Sequence, residues 1–164
     1  MTTPPRALVL ADYAGLMRLM DGLDAIHREA LPDIYRAPEG PPRPLTSWQR
    51  QLADPTHRFE GMDVDGELAA YIHARVVDVE PIEVKVGRRY VQIENVYVDP
   101  KCRRHGLARA LTASIRRWAI LQGAGGLQLM VYAFNDEARR YYASEGFETL
   151  SLGLWQSLEG DDPS

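Results

Sequence analysis

The spacing of apolar residues predicts alternating strands and helices. Residues 6–10 form a short apolar run that is typical of a buried strand. From Tyr13 onward, apolar side chains recur at helical spacing through Leu16, Met20 and Leu23. Positions three and four apart share one face of a helix, so this pattern predicts a first amphipathic helix with one buried side.

A proline-rich stretch follows this helix. Regular helix does not persist through closely spaced prolines, so residues 28–46 are predicted to be an irregular loop. Long loops often cover binding sites, and both a substrate lid and a solvated connector remain open, with Tyr35 and Trp48 as candidate contact surfaces. A short helix is predicted at 47–52, capped by Thr46 or Ser47.

Two β-branched and apolar runs, 59–64 and 68–79, flank the dipeptide Asp65-Gly66. This dipeptide between strand patterns predicts a hairpin. A third run at 90–98 extends the pattern. The three segments predict an antiparallel meander.

The second half of the chain adds a crossover. An amphipathic helix is predicted over 106–122, a strand over 127–131, a helix over 135–145 and a final strand over 147–158. A strand, a helix and a further strand usually form a right-handed parallel unit, so strands 90–98 and 127–131 should be parallel neighbours. The predicted class is α/β (α+β), with a mixed, mostly antiparallel sheet, one splayed parallel pair, and flanking helices.

The composition is ordinary for a single globular domain. The 164 residues are 45% hydrophobic and 26% charged, and we expect one domain over 1–164, with an ordered core at about 6–158 and an acidic tail at 159–164. A net charge of −4 opposes a protein built mainly to bind nucleic acid. The single Cys102 excludes an internal disulfide and favours a cytoplasmic location. The first apolar run is too short for a signal peptide or a membrane span.

Positive charge is concentrated in one turn. The strand ends at Asp99-Pro100 and a helix restarts near Gly106. The first N–H groups of a helix lack internal partners and carry the positive end of its dipole, so they can hold a phosphate. The small residues Gly106 and Ala108 allow close approach, and basic side chains surround them: Arg103, Arg104, His105 and Arg109. A simple basic connector and a nucleic-acid contact are the alternatives.

Two motifs carry a family resemblance. Arg103-x-x-Gly106-x-Ala108, directly after a strand, resembles the acetyl-CoA-binding motif of the GNAT superfamily of N-acetyltransferases. A second pattern, also similar to that superfamily, is filled by Asn135, Ala138, Tyr142, Gly146 and Phe147. The two motifs stand in the expected order and together with the element order cover about residues 6–156.

The resemblance implies transfer of an acetyl group from acetyl-CoA to a primary amine by direct attack in a ternary complex. Two neighbouring strands that splay apart leave a cleft in which the pantetheine arm can pair with exposed backbone groups. A backbone N–H near the end of the strand would stabilise the oxyanion. The residues expected to contact acetyl-CoA are Val96, Tyr97, Val98, Arg103, Arg104, His105, Gly106, Leu107, Ala108, Arg109 and Asn135.

The resemblance also places Tyr142 beside the sulfur, as the acid that protonates the departing thiolate; a tyrosine packed in the core is the alternative. For the base, Glu94 is the first candidate, because a carboxylate in an otherwise apolar strand needs a reason. An ion pair of Glu94 with Arg88, Arg89 or another neighbour is equally open. His73 is a weaker candidate base.

The partners are only partly predicted. The four histidines and Cys102 lack metal-ligand spacing, so no metal is expected. The acceptor is an amine of unknown identity, on a small molecule or a protein, and no nucleic acid or membrane partner is expected. A homodimer is possible through an open sheet edge near the carboxyl terminus. The alternative function is a non-catalytic acyl-CoA-binding or regulatory module on the same fold.

Overall fold

The computed structural model describes residues 1–41 and 43–159. The chain divides into two compact units, residues 1–130 and residues 131–164, and each is described by itself. Within the described ranges, every helix is too short or too polar to cross a membrane.

The unit of residues 1–130 is built on one five-stranded sheet. Its strands lie in the order of the sequence: β1 (Arg6–Ala7), β2 (His57–Val64), β3 (Glu67–Val79), β4 (Arg88–Val98) and β5 (Leu127–Leu129). Neighbours from β1 to β4 are antiparallel, whereas β4 and β5 are parallel. The mixed sheet, with one parallel pair, is therefore confirmed.

The predicted turn joins β2 and β3. Asp65 and Gly66 have φ values of 51° and 87°. Two consecutive residues with positive φ are typical of a hairpin turn that matches the twist of its strands, and Asp-Gly supplies that conformation at low cost. The local sequence therefore determines the turn that joins these two strands.

Three helices accompany the sheet: α1 (Tyr13–Ala30), α2 (Leu45–Ala53) and α3 (Leu107–Leu121). α1 and α2 share a buried cluster with β2, β3 and β4, formed by Leu8, Leu16, Leu19, Met20, Trp48, Phe59, Leu68, Tyr71 and Tyr97. α3 packs on β3 and β4 through a separate buried set: Leu107, Leu111, Thr112, Ile115 and Ala119. The predicted amphipathic helices are confirmed.

Several predicted boundaries are wrong. β1 ends at Ala7, because a 3₁₀ turn over Leu10–Asp12 leads into α1. α1 continues to Ala30, so the irregular segment covers only 31–44. α2 begins at Leu45 directly after Pro44, and neither of the predicted residues caps it. The carbonyl of Pro44 instead accepts the first hydrogen bonds of the helix, from the N–H groups of Ser47 and Trp48 at 3.0 and 3.1 Å.

Trp48 does not offer a contact surface. It is only 2% exposed, and its ring packs edge-on against Phe59, with a centroid distance of 4.6 Å. Burial of so large an apolar side chain stabilises α2 on the sheet by roughly 2–3 kcal/mol. The indole therefore belongs to the core under α2.

In the unit of residues 131–164, the described part, 131–159, contains one helix, α4 (Asp136–Ser144). Asn135 begins it, because its Oδ1 accepts a hydrogen bond from the N–H of Ala138 at 3.1 Å. At the other end, Gly146 has φ 87°, and the N–H of Phe147 donates to the carbonyl of Tyr142 at 3.0 Å. This is a Schellman ending, and the rings of Tyr142 and Phe147 make its apolar contact at 5.5 Å.

The strand predicted over 147–158 is wrong. These residues form neither helix nor strand, and Leu150, Leu152 and Leu154 are exposed. Alternation gives a segment strand propensity, but a strand also needs a hydrogen-bonded neighbour, and the five-stranded sheet includes no part of this segment. Of the predicted tail at 159–164, residues from 160 onward lie outside the described part of the chain.

Candidate functional site

β4 carries a bulge at its centre. His73 on β3 pairs with Asn95, whereas the next residue, Ala74, pairs with Ile93, so Glu94 is the extra residue. An extra residue in one strand bends the strand and re-aims its side chain. Strict alternation along β4 therefore does not hold at Glu94.

Glu94 forms an ion pair with Arg75 of β3, whose Nε donates to the Glu94 carboxylate. The predicted partners are engaged elsewhere: Arg89 with Asp78 at 3.3 Å, and Arg88 over the ring of Tyr90 at 5.0 Å. The Glu94 and Arg75 side chains are 32% and 43% exposed, and such pairs add little stability. The pair holds the carboxylate in one place at the bulge.

The bulge also marks where β4 loses its parallel neighbour. β5 pairs with β4 only from Val91 to Ile93, and β5 ends at Leu129. Met130 and Val131, which were predicted to continue this strand, lie outside it. Over the described residues, no strand pairs with Glu94–Val98 on that side, although β3 pairs with the other side as far as Val98. The end of β4 is therefore an open edge for an extended ligand.

Asp99 anchors the turn that follows β4. Its N–H donates to the carbonyl of Ala69 at 2.8 Å, and its carboxylate accepts from the N–H of Lys101 at 3.0 Å and from Nη1 of Arg18 at 2.7 Å. These partners, first the Lys101 N–H and then Arg18, lower the pKa of Asp99. Sequence reasoning missed this anchor, because Arg18 lies 81 residues away.

Two residues of this turn adopt a left-handed backbone conformation before α3 begins. Arg104 has φ 65° and Gly106, the residue before α3, has φ 77°. The first bond of the helix runs from the N–H of Ala110 to the carbonyl of Gly106 at 3.0 Å, so the N–H groups of Leu107 and Ala108 precede the hydrogen bonds of the helix. A Cβ on Gly106 would meet nothing within 4 Å. The backbone is therefore open where an anion would approach.

The predicted side chains of this turn point in different directions. Arg103 folds back, with Nε donating to the carbonyl of Val98 at 3.3 Å and its guanidinium 5.9 Å from the Tyr97 ring. Nδ1 of His105 lies 3.3 Å from the carbonyl of Cys102. Leu107 is buried at 2% exposure, so only its backbone can face a ligand. Arg104 and Arg109 are exposed.

Tyr142 and Asn135 belong to the unit of residues 131–164. Burial, and then the neighbouring Tyr141, raise the pKa of Tyr142 to about 12, so its hydroxyl keeps its proton at neutral pH. Asn135 serves as the N-cap of α4. Among the described residues, no group of three histidine, cysteine or carboxylate side chains is placed to hold a metal ion.

A mixed sheet with a bulged fourth strand, an open strand end and a basic turn into a helix defines the acetyltransferase fold of the GNAT type. The profile of the acetyltransferase (GNAT) family matches residues 22–147, and the chain belongs to this family.

One relative and two solved structures are similar to this chain, and the solved structures show that the fold is shared. An uncharacterized N-acetyltransferase from the pepI 3′ region of Lactobacillus delbrueckii subsp. lactis is 29% identical over 112 residues, which is 68% of this chain and 62% of that relative. The tetramutant of the BH1408 protein from Bacillus halodurans superposes with a TM-score of 0.90 at 23% identity, covering 95% of this chain and 100% of the other. Aminoglycoside N-acetyltransferase AAC(6′)-Iy in complex with CoA gives 0.71 at 15% identity, covering 93% and 97%.

Proposed function

We propose that this protein transfers an acetyl group from acetyl-CoA to a primary amine by direct attack in a ternary complex. The observation that carries the proposal is the succession, along one stretch of chain, of an unpaired strand end and a helix start with open N–H groups. These two features are complementary to the amides and the pyrophosphate of coenzyme A. Family membership favours the same ligand.

The pantetheine arm and the pyrophosphate of acetyl-CoA are each assigned to a part of this chain. The pantetheine arm pairs with the backbone of Val96, Tyr97 and Val98, and an N–H near Tyr97 or Val98 stabilises the oxyanion. The pyrophosphate rests on the turn formed by Arg103, Arg104, His105, Gly106, Leu107, Ala108 and Arg109. Backbone N–H groups and the positive charges of the three arginines hold it there. Acetyl-CoA supplies the activated acetyl group.

Glu94 is the proposed base. An alkylamine with a pKa of about 10 is protonated at neutral pH and must lose a proton before it attacks. The bulge and the ion pair with Arg75 support this role, because they hold one carboxylate beside the open end of β4. The proton moves from the ammonium nitrogen to the Glu94 carboxylate.

Tyr142 is the proposed acid and Asn135 a proposed cofactor contact. As the amine nitrogen bonds to the carbonyl carbon and the C–S bond breaks, the thiolate takes the hydroxyl proton of Tyr142. The nitrogen of the new amide gives up its extra proton, which restores the Tyr142 hydroxyl. A pKa of about 12 supports this role, because the hydroxyl is then protonated at working pH. For Asn135, the capping bond fixes the side chain at the start of α4.

We further propose a cytoplasmic location, favoured by the single Cys102, and a homodimer as the assembly. Size-exclusion chromatography with light scattering measures directly whether the protein is a dimer. The acceptor stays a primary amine of open identity, and the amines to be tested therefore include aminoglycosides, on which some neighbours act by their names.

A free-thiol assay tests the function. Acetyl-CoA is offered with polyamines, aminoglycosides, amino acids and peptides, and its binding is measured separately by calorimetry. Release of CoA with at least one amine supports the proposal. Binding without release from any amine would instead make the protein an acyl-CoA-binding module, and absence of binding would overturn both.

A further inference from the structure

Two histidines on neighbouring strands share a hydrogen bond. Nδ1 of His57 on β2 lies 2.8 Å from Nε2 of His73 on β3. The two rings are nearly parallel, with centroids 5.1 Å apart, and the His73 ring stacks on Phe59 at 3.8 Å. One nitrogen of the pair must donate and the other must accept, so the protonation of each ring determines that of the other.

A carboxylate stands at the outer end of this pair. Oδ2 of Asp54 lies 4.0 Å from Nε2 of His57. Asp54 is itself fixed, because its Oδ1 accepts from the N–H and the hydroxyl of Thr56 at 2.9 and 2.7 Å. A negative charge beside Nε2 of His57 favours a proton on that nitrogen. Nδ1 of His57 is then the acceptor, and Nε2 of His73 is the donor.

His73, the more buried ring of the pair, stays neutral. His73 is 7% exposed, and burial, followed by the charges of His57, Arg75 and Arg43, lowers its pKa to about 3. Both arginines have carboxylate partners: Arg75 with Glu94, and Arg43 with Asp24 at 3.0 Å. A neutral imidazole carries one N–H. With that proton on Nε2, Nδ1 of His73 keeps a lone pair.

This lone pair lies on the face of the sheet that carries the Glu94 carboxylate. Nε2 is the ring nitrogen of His73 that contacts β2. His73 and Arg75 lie two residues apart on β3 and therefore share one face of the sheet. Arg75 holds the Glu94 carboxylate, and Glu94 is next to Asn95, the partner of His73 on β4. Among the described residues, Nδ1 of His73 has no hydrogen-bond partner.

We propose that Asp54, His57 and His73 form a chain that sets ring protonation, and that Nδ1 of His73 accepts a hydrogen bond from the amino group of the acceptor. This inference rests on the proposed function and names the group that recognises the amine. His73 binds the amine, whereas His57 and Asp54 are positioning residues. No proton needs to leave through the chain for this role.

Nitrogen-15 NMR of the histidine rings in the unliganded full-length protein tests the chain without any turnover. We expect the ring proton of both His57 and His73 on Nε2 at neutral pH. Asp54→Asn should weaken the Nε2 preference, whereas Asp78→Asn, which removes another exposed carboxylate, should not. A proton on Nδ1 of His73 at neutral pH would overturn the proposal.

Kinetics test amine recognition with ethylammonium as the probe. His73→Gln retains a group near Nε2 and loses the one at Nδ1, whereas His73→Asn retains an oxygen or nitrogen near Nδ1. We expect KM for ethylammonium to rise about 10- to 100-fold in the Gln variant, and much less in the Asn variant, with kcat changed little in both. Equal KM values in the two variants would overturn amine recognition.

If the probe is not acetylated, the titration of ethylammonium into the labelled protein decides instead. A shift of Nδ1 of His73 supports the site, and no shift overturns it. Failure of every amine in the thiol assay would, by contrast, remove the proposed function and leave the NMR result on the ring protons standing.

Discussion

At the scale of single residues, burial decides which groups are available for chemistry. His73 is enclosed under Phe59 and stays neutral, and Tyr142 retains its proton. Glu94 is an extra residue in a strand and is held by Arg75 from the neighbouring strand. Each of these properties comes from packing around an ordinary side chain, and for His73 and Tyr142 the packing shifts the pKa.

The buried His73 should make the protein less stable in acid. Its pKa is about 3 in the folded protein, against an ordinary value of 6.5 for a solvated histidine, so unfolding takes up a proton between these values. The free energy of unfolding should therefore fall as pH decreases from 6.5 toward 3, by up to about 1.4 kcal/mol per unit. Urea unfolding at several pH values measures this slope. His73→Gln should reduce it, and an unchanged slope would contradict the assignment.

Removal of the Tyr142 hydroxyl should slow acetyl transfer. Tyr142→Phe keeps the ring that packs on Phe147 and removes only the proton donor, so we expect kcat to fall about 100-fold or more, with acetyl-CoA affinity little changed. Tyr141→Phe is the matched control. Wild-type kcat should show no decline from Tyr142 ionisation up to about pH 10, because its pKa is about 12. A full rate in Tyr142→Phe would exclude this residue as the acid.

At the scale of elements, the candidate site is a junction of β4 with α3. The strand loses its parallel neighbour at Ile93, the chain is anchored at Asp99, and α3 starts after a left-handed Gly106. α1 supports the same strand from one side, because Gly22 leaves room for the Tyr97 ring. The geometry of this junction follows from contacts between elements that are distant in the sequence.

A side chain at Gly106 should weaken cofactor binding. Gly106→Val places a β-branched residue at φ 77°, which L-residues rarely adopt, so the turn must change shape. We expect acetyl-CoA affinity to fall at least about tenfold, the equivalent of about 1.4 kcal/mol, by calorimetry. Gly123→Val, at φ 70° beyond the other end of α3 and equally open, should lower stability and retain affinity. Equal losses of affinity would contradict a site at the turn.

Gly22 should tolerate no side chain. A Cβ there would lie 2.5 Å from the hydroxyl of Tyr97, so Gly22→Ala should destabilise the fold by about 1–3 kcal/mol. Alanine favours a helix over glycine by nearly 1 kcal/mol, and the expected sign is therefore the reverse of helix propensity. Gly40→Ala, with open space around it, is the control. Chemical denaturation measures both, and a stabilised Gly22→Ala would show that α1 and β4 are less tightly packed.

At the scale of the whole molecule, a chain of net charge −4 presents a local positive turn. A ligand that binds only the folded protein stabilises it by about 2.7 kcal/mol at about a hundred times its Kd. Acetyl-CoA should therefore raise the melting temperature and slow hydrogen exchange most in residues 96–110. Duplex DNA, added at a concentration that supplies the same phosphate charge, should neither raise the melting temperature nor slow hydrogen exchange in these residues. Stronger protection by DNA would support the nucleic-acid alternative.

The sequence by itself determined what depends on near neighbours. The Asp65-Gly66 turn, the helical stripes of α1 and α3 and the basic turn after β4 were all predicted, because dihedral preference and apolar period act over a few residues. The residues from Asn135 to Phe147 likewise determine both ends of α4. Asn135 caps the helix by accepting from the N–H of Ala138, three residues later, and Gly146 ends it. The family motifs then supplied the resemblance to the GNAT superfamily.

Only the tertiary structure decided what depends on pairing between distant strands. The bulge that singles out Glu94, its partner Arg75, the anchor from Arg18 to Asp99 and the contact of His57 with His73 all join residues from different elements. No local pattern encodes them, because register and burial are set where elements meet. The segment 147–158 was predicted wrongly for the same reason. Its alternation of apolar and polar residues suits a strand, but a strand forms only where a neighbouring strand is available for hydrogen bonding.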